Sequence, residues 1–297
     1  EIHWRDWSSD VCSSDLITGT AVDHILIVGD GGTALLWDGM KWQKQPPLTV
    51  TANLRAAAGR LGGSTISVAG DGGTILQLTG TTWTQINNSS QANLRGAAIG
   101  IGSTPNVFFV GDTGNTFRLS PTGALTGKSA GTLLNIHTIA QNPNAGGDDL
   151  ILGGSSFLSP PLADSWDGNN SFRGQMTGSS ARISSNINAM FCGKTMFYAA
   201  GDQGGLVSRA SGKGASDIPD KWVAINTSTN KTLRGIWANS ETEVFVVGDT
   251  GTIIQYNGTT ASTVPPITVN NLRAIWGSSP ANIYAVGDGG VVLHYLP

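Results

Sequence analysis

Six aspartates that each follow a glycine are the residues of this chain whose spacing most suggests chemistry. A ring of carboxylates could bind calcium, and glycine turns could bind phosphate through backbone amides. None of these glycine turns has Gly-Lys-Ser/Thr at the spacing that a phosphate-binding P-loop requires. A strand followed by Asp-Gly-Gly or Asp-Thr-Gly is also a hairpin signal, because glycine adopts positive φ and aspartate bonds nearby amides. We favour this structural interpretation. The dipeptides are Gly29-Asp30, Gly70-Asp71, Gly111-Asp112, Gly201-Asp202, Gly248-Asp249 and Gly287-Asp288.

Recurring arginines form the second set of candidate residues, and each directly follows a leucine that begins a β run. His137 and Asn188 take that place in two other copies. Antiparallel pairing brings the start of one strand beside the end of the next, so each arginine should lie near its own aspartate. We favour a structural arginine–carboxylate fork, with an arginine-lined mouth that captures an acidic group as the alternative. The arginines are Arg55, Arg95, Arg234 and Arg273.

Two irregular loops offer a third candidate site. Residues 159–167 and 211–220 are predicted to connect the third and fourth strands of the fourth and fifth repeats, and so to form one lip opposite the Gly-Asp turns. The simpler explanation, which we favour, is that these are solvent-exposed loop residues without a binding role. The side chains that suit a carbohydrate or protein contact are Asp164, Trp166, Asp167 and Asp217.

No group of residues indicates catalysis, a metal or a cofactor. The four histidines lack metal-ligand spacing, and Cys192 in an apolar run is predicted to be a small buried residue. A sialidase-like or lyase-like enzyme would need a carboxylate pair in the central mouth. Glu241 and Glu243 are predicted to lie away from it. The sequence therefore favours a binding protein over an enzyme.

The Gly-Asp dipeptides recur at intervals of 39 to 47 residues, with one double interval that contains a degenerate copy at residues 149–154. Each copy has short β runs bounded by Gly, Asn and Ser. Periods near 40 residues with four strands are typical of propeller blades. The sequence predicts one all-β domain over residues 17–297: a seven-bladed β-propeller with four antiparallel strands per blade.

The first run of each copy is predicted to be the innermost strand. Trp237 and Trp276 should then pack between blades. The chain ends in the third strand of the last blade, so the missing outer strand must come from elsewhere. We expect ring closure near the two termini, with residues 2–7 as one source of that strand. The inner strands are expected around Ile17, Leu54, Leu94, Ile136, Ile187, Leu233 and Leu272.

The segments Leu272–Ser279 and Ala285–Gly290 resemble the bacterial propeller repeats of the BNR, YVTN and WD40-like superfamily. They are similar to repeats of the photosystem II assembly factor. The resemblance implies a propeller strongly and a function weakly, because propellers serve as enzymes, lectins and scaffolds. It implies a bacterial protein that is secreted or attached to the cell surface. Residues 1–16 resemble a translated sequencing adapter, so we expect the native N-terminus and any signal peptide to be missing.

Composition and charge limit the classes of binding partner. Charged residues make up 12% of the chain and the net charge is −3, so nucleic acid and anionic membranes are disfavoured. No apolar stretch is long enough to insert into a bilayer. We expect a monomeric, non-catalytic binding or scaffold module that recognises a protein or a glycan. The alternatives are a carbohydrate-active enzyme and an assembly factor for a membrane complex.

Overall fold

The structure is a computed structural model, and its secondary structure consists of β-strands and three-residue 3-10 turns. No helix in the described part of the chain is long and apolar enough to cross a bilayer. The structure describes residues 3–6, 14–46, 48, 50–130, 133–144, 150–155, 163–166, 172–173, 186–211 and 222–296.

The strands are short and rich in β-branched and aromatic residues, which fit a pleated sheet that is buried on both faces. In chain order they are β1 (His3–Asp6), β2 (Ser14–Ala21), β3 (His24–Gly29), β4 (Ala34–Trp37), β5 (Trp42–Lys44), β6 (Leu54–Gly59), β7 (Thr65–Gly70), β8 (Ile75–Thr79), β9 (Thr82–Gln85), β10 (Leu94–Ile99), β11 (Val107–Gly111), β12 (Asn115–Leu119), β13 (Leu125–Ser129), β14 (Ile136–Gln141), β15 (Leu150–Gly154), β16 (Ala163–Trp166), β17 (Phe172–Arg173), β18 (Ile187–Cys192), β19 (Met196–Gly201), β20 (Leu206–Ala210), β21 (Val223–Ala224), β22 (Leu233–Ser240), β23 (Glu243–Gly248), β24 (Ile253–Tyr256), β25 (Ala261–Val264), β26 (Leu272–Ser279), β27 (Asn282–Gly287) and β28 (Val292–Leu296).

These strands form antiparallel, four-stranded sheets that follow one another along the chain. The first strand of each sheet packs beside the first strands of the two neighbouring sheets, and β26 returns to β2 to close the ring. The fold is therefore a β-propeller, and the predicted inner strands are confirmed. In ring order, sheet one is β2–β5, sheet two β6–β9, sheet three β10–β13, sheet four β14–β17, sheet five β18–β21, sheet six β22–β25, and sheet seven β26–β28 with β1 as its outer strand.

The prediction of a seven-bladed propeller is corrected: six of the sheets are regular blades, and sheet four departs from their pattern. Six sheets have an Asp-x-Gly 3-10 turn between their second and third strands. Sheet four does not share this pattern: Ser155 follows Gly154 in place of aspartate, and β16 and β17 are only four and two residues long. The 3-10 turns are Asp30–Gly32, Asp71–Gly73, Asp112–Gly114, Asp202–Gly204, Asp249–Gly251 and Asp288–Gly290.

The outer strand of sheet seven comes from the other end of the chain. β1 runs antiparallel to β28, with His3 opposite Leu296 and Asp6 opposite Leu293. This pairing covers the edge of β28, which would otherwise present unpaired backbone groups. Ring closure therefore takes place near the two termini.

Large side chains on one inner strand pack against glycine on the next. A Cβ placed on Gly277 of sheet seven would lie 2.8 Å from the Trp237 ring of sheet six. A Cβ on Gly19 of sheet one would lie 2.7 Å from the ring of Trp276 in sheet seven. The predicted packing of both tryptophans between sheets is confirmed. Because a methyl group would overlap either ring, these glycines are what allow the tryptophan-bearing sheets to approach their neighbours.

Candidate functional site

A bulge at the start of the inner strand aims one side chain in each of six sheets toward the same face. In sheet two, Leu54 pairs with Gly70 and Ala56 pairs with Ala69, so Arg55 is an extra residue in the ladder. Such bulges redirect side chains and often lie beside functional sites. We call the side of the ring that carries the Asp-x-Gly turns the turn face, and the opposite side the loop face. The bulged residues on the turn face are Arg55, Arg95, His137, Asn188, Arg234 and Arg273.

Each arginine of this set forms a two-point contact with the aspartate of its own sheet. The Arg55 Nε lies 2.6 Å from Oδ1 of Asp71, and Nη2 lies 2.9 Å from Oδ2. The Arg273 Nε and Nη2 contact Asp288 at 2.7 and 3.1 Å. The predicted arginine–carboxylate fork is confirmed in four sheets. The other two pairs are Arg95–Asp112 and Arg234–Asp249.

Sheets four and five replace the fork with uncharged donors. The His137 Nε2 lies 3.0 Å from the hydroxyl oxygen of Ser155, which takes the place of the missing aspartate. The Asn188 side-chain amide donates to Asp202 at 2.8 Å and to the backbone oxygen of Leu233 at 3.1 Å. The contact between the bulge and the turn is therefore present in sheets two to seven, while its charge changes.

Electrostatics keep the fork charged and the histidine neutral. Burial alone would raise the pKa of the Asp112 carboxyl, but the Arg95 guanidinium outweighs it and holds that pKa below its ordinary value. Arg273 does the same for the pKa of Asp288 against the effect of burial. Burial, together with the nearby Arg95 cation, lowers the pKa of His137, so its ring is neutral at pH 7. Asp112 and Asp288 are therefore ionised and unsuited to act as general acids.

An asparagine before the inner strand joins adjacent sheets, and the sequence analysis missed it. The side-chain oxygen of Asn93 in sheet three accepts a hydrogen bond from the Gly72 amide in the turn of sheet two, at 3.0 Å. Its amide group donates to Asp112 at 3.1 Å. Asn271 makes the same pair of contacts with Thr250 and Asp288. The signal was present as a recurring Asn-Leu-Arg tripeptide, whose first residue the repeat comparison did not consider.

Replacing Asn93 with alanine should lower the free energy of unfolding by about 1 kcal/mol. Two hydrogen bonds are lost, but water can replace them in part because the position is partly exposed. Urea denaturation followed by tryptophan fluorescence measures this change. Gln91→Ala in the same connection serves as the control and should leave the midpoint unchanged. A loss for Asn93→Ala no larger than for Gln91→Ala would contradict the proposed link between sheets.

Two of the four predicted loop residues lie in a strand of sheet four. Asp164 and Trp166 belong to β16, the third strand of sheet four, opposite Leu152 and Leu150. The predicted connection at 159–167 is therefore wrong, since the long segment joins the second and third strands at the turn-face end. In sheet five the long segment joins β20 to β21 at the loop-face end. Asp167 and Asp217 lie outside the described residues.

The described residues contain no group of three or more His, Cys, Asp or Glu side chains that could hold a metal ion. Cys192 is half-buried at the end of β18. It packs against the core of sheet five, as the interpretation of a small apolar residue predicts. The turn face thus presents paired polar side chains in a fixed ring.

Comparison with known proteins identifies the fold. No family model and no curated protein matches the chain. Its solved structural neighbours include YCF48 bound to D1 peptide, with a TM-score of 0.77 and 14% identity over 99% of this chain and 97% of that chain. They also include YCF48 from Cyanidioschyzon merolae, with a TM-score of 0.77 and 16% identity over 99% of both chains. These neighbours show the propeller fold for nearly the whole chain.

Proposed function

We propose that this chain is a non-catalytic propeller that binds a protein segment on its turn face. The observation that carries the proposal is the set of bulged side chains held in one orientation by paired contacts with the turns. A site whose side chains are already ordered loses little conformational entropy on binding. The lowered pKa values of Asp112 and Asp288 also argue against acid catalysis by these two carboxyls.

The exposed parts of the arginines supply the binding chemistry. Each fork uses Nε and Nη2, and the arginine side chains remain 30 to 36% exposed. The exposed edge of Arg95 or Arg234 can donate to a peptide carbonyl or carboxylate without breaking the fork. The structural neighbour that was solved with D1 peptide supports a peptide as the ligand class. Secretion or attachment to a bacterial cell surface, which the sequence resemblance implies, belongs to the same proposal.

The test is peptide binding by the intact chain. A random peptide array should retain the protein preferentially on peptides with carboxylate groups, and anisotropy titrations would then give affinities. Arg95→Lys and Arg234→Lys keep the charge but lose the fork geometry, so each should weaken binding about tenfold. Arg118→Lys is the control, because Arg118 lies in β12 opposite Phe108, away from the turn. Equal binding by all variants, or no retention on any peptide, would overturn the proposal.

Three alternatives make different predictions. A glycan-binding module would be retained on a glycan array, and a carbohydrate-active enzyme would release reducing ends over time. An assembly factor for a membrane complex, which the fold likeness to YCF48 favours, would bind an unassembled subunit more tightly than the finished complex. The comparison of affinities for free and assembled subunits distinguishes that role from general peptide binding.

A further inference from the structure

A cleft of about 790 Å³ opens on the loop face between sheets two and three. It reflects a change at one repeat position, three residues before the glycine that ends the second strand. Sheet two has Ser67 there, whereas the six other sheets carry a large buried side chain. Those six are Leu26, Phe108, Ile151, Tyr198, Phe245 and Tyr284.

The inner strand of sheet two does not fill the space either. Ala58 stands opposite Ser67, while sheets six and seven place Trp237 and Trp276 at the position of Ala58. Ile99 of sheet three lines the far side of the cleft. Sheet two therefore lacks the large side chains that fill the corresponding space elsewhere in the ring.

The inner part of the cleft holds polar groups, and its rim includes one exposed leucine. Ser67 is 1% exposed, and its hydroxyl accepts a hydrogen bond from the Gln77 amide at 3.2 Å. The hydroxyls of Thr65 and Thr79 lie 3.2 Å apart beside them. At the rim, Leu61 is 52% exposed. The interior can thus form a hydrogen bond with the polar end of a side chain, while Leu61 can contact an apolar group of the ligand.

Adjacent loops extend the rim across three sheets. The Gly62 amide donates to the Thr20 backbone oxygen at 2.7 Å, and the Arg60 guanidinium donates to the backbone oxygen of Gly102. Ile101, beside Gly102, is 42% exposed. Arg60 is the sole charged side chain among the described residues that line the cleft. An elongated ligand with an acidic group near Arg60 fits this surface.

We propose that this cleft is a second binding site, which takes an extended protein segment that inserts a tyrosine side chain between sheets two and three. The tyrosine ring would fill the space that Tyr198 and Tyr284 fill in their own sheets, and its hydroxyl would bond Gln77 or Ser67. An acidic residue beside the tyrosine would pair with Arg60. The proposal shares with the proposed function only the nature of the partner, because the two sites lie on opposite faces.

The test selects random twelve-residue peptides displayed on phage against the intact chain, with Ser67→Tyr used for counter-selection. We expect enriched peptides to contain tyrosine with a nearby Asp or Glu. Ser67→Tyr should weaken their binding at least tenfold, because the protein's own tyrosine ring would then occupy the space proposed for the tyrosine of the peptide. Replacing the peptide tyrosine with serine should weaken binding to the same extent, and Leu61→Ser should weaken it about threefold.

The controls separate this site from the turn face and from a folding defect. Leu133→Ser changes an 86% exposed leucine on the turn face and should leave affinity unchanged. If Ser67→Tyr fails to fold, the double variant Leu61→Ser and Ile101→Ser tests the rim at exposed positions. No enrichment, enriched peptides without an aromatic residue, unchanged binding to the folded variants, or carbohydrate binding in the cleft would each overturn the proposal.

Discussion

Replacing Gly73 with alanine is expected to lower the free energy of unfolding by about 3 kcal/mol. Gly73 has a φ of +73°, and a Cβ there would lie 1.9 Å from the backbone oxygen of Ser90, in the connection to sheet three. The left-handed conformation costs about 1–2 kcal/mol for a residue with a Cβ. Overlap with a backbone atom that cannot turn aside adds about 1–3 kcal/mol. Denaturant unfolding followed by tryptophan fluorescence measures the change.

Gly72 in the same turn supplies the matched control. Its φ is +62°, but a Cβ there would meet nothing within 4 Å. Gly72→Ala should therefore cost only the conformational term, about 1 kcal/mol. Thr113 and Thr250 already occupy this position in sheets three and six with φ near +55°. Similar losses for Gly72→Ala and Gly73→Ala would show that backbone conformation, and not contact with the next sheet, sets the need for glycine at residue 73.

This contrast explains the repeated dipeptide from which the fold was predicted. The glycine before each aspartate has an extended φ that any residue can adopt. It is required because a Cβ on Gly70 would lie 2.1 Å from the backbone oxygen of Asn53. The sequence interpretation explained the glycines that follow each aspartate and gave no role to the glycine that precedes it. The structure assigns it to close approach of two strands, which a single sequence does not reveal.

Repeat spacing was sufficient to predict a β-propeller because six sheets carry the same Asp-x-Gly turn between their second and third strands. The arginine–aspartate fork was also predictable, because antiparallel pairing places the start of the first strand beside the end of the second. The bulge that aims Arg55 was not predictable, because it depends on a one-residue shift in register. The loop-face cleft was missed for a related reason: Ser67 attracts notice only when the strands are aligned and its counterparts are seen to be large.

Sheet four shows where repeat arguments fail. The degenerate copy was recognised, but the connection at 159–167 was placed one strand too late. Leu152 pairs with Asp164, so this aspartate belongs to the third strand. Without the Asp-x-Gly turn, no local signal in the sequence marks the end of β15 and the start of β16. The length of this repeat was predicted correctly, but the long segment was placed after the third strand, whereas it precedes that strand.

Replacing Arg273 with alanine should lower the free energy of unfolding by about 2 kcal/mol near neutral pH. The fork comprises two charge-assisted hydrogen bonds, which contribute about 1.5–3 kcal/mol in partly buried settings and less where solvent screens them. Both side chains are about one-third exposed, so the lower part of that range applies. Arg118→Ala, outside the turn-face ring, is the matched control. A double-mutant cycle with Asp288→Ala should give a coupling energy of about 1 kcal/mol.

The pH dependence tests whether the fork itself is responsible for that loss. Although burial opposes it, Arg273 lowers the pKa of Asp288 in the folded state, so the unfolded chain binds a proton more readily than the folded chain. Stability from this carboxylate is therefore present above the unfolded pKa of about 3.9, and it is lost as pH falls through the lower folded pKa. The difference between wild type and Arg273→Ala should shrink as pH falls below about 4. A difference that stays constant from pH 7 to pH 3 would attribute the loss to packing of the arginine side chain and not to its charge.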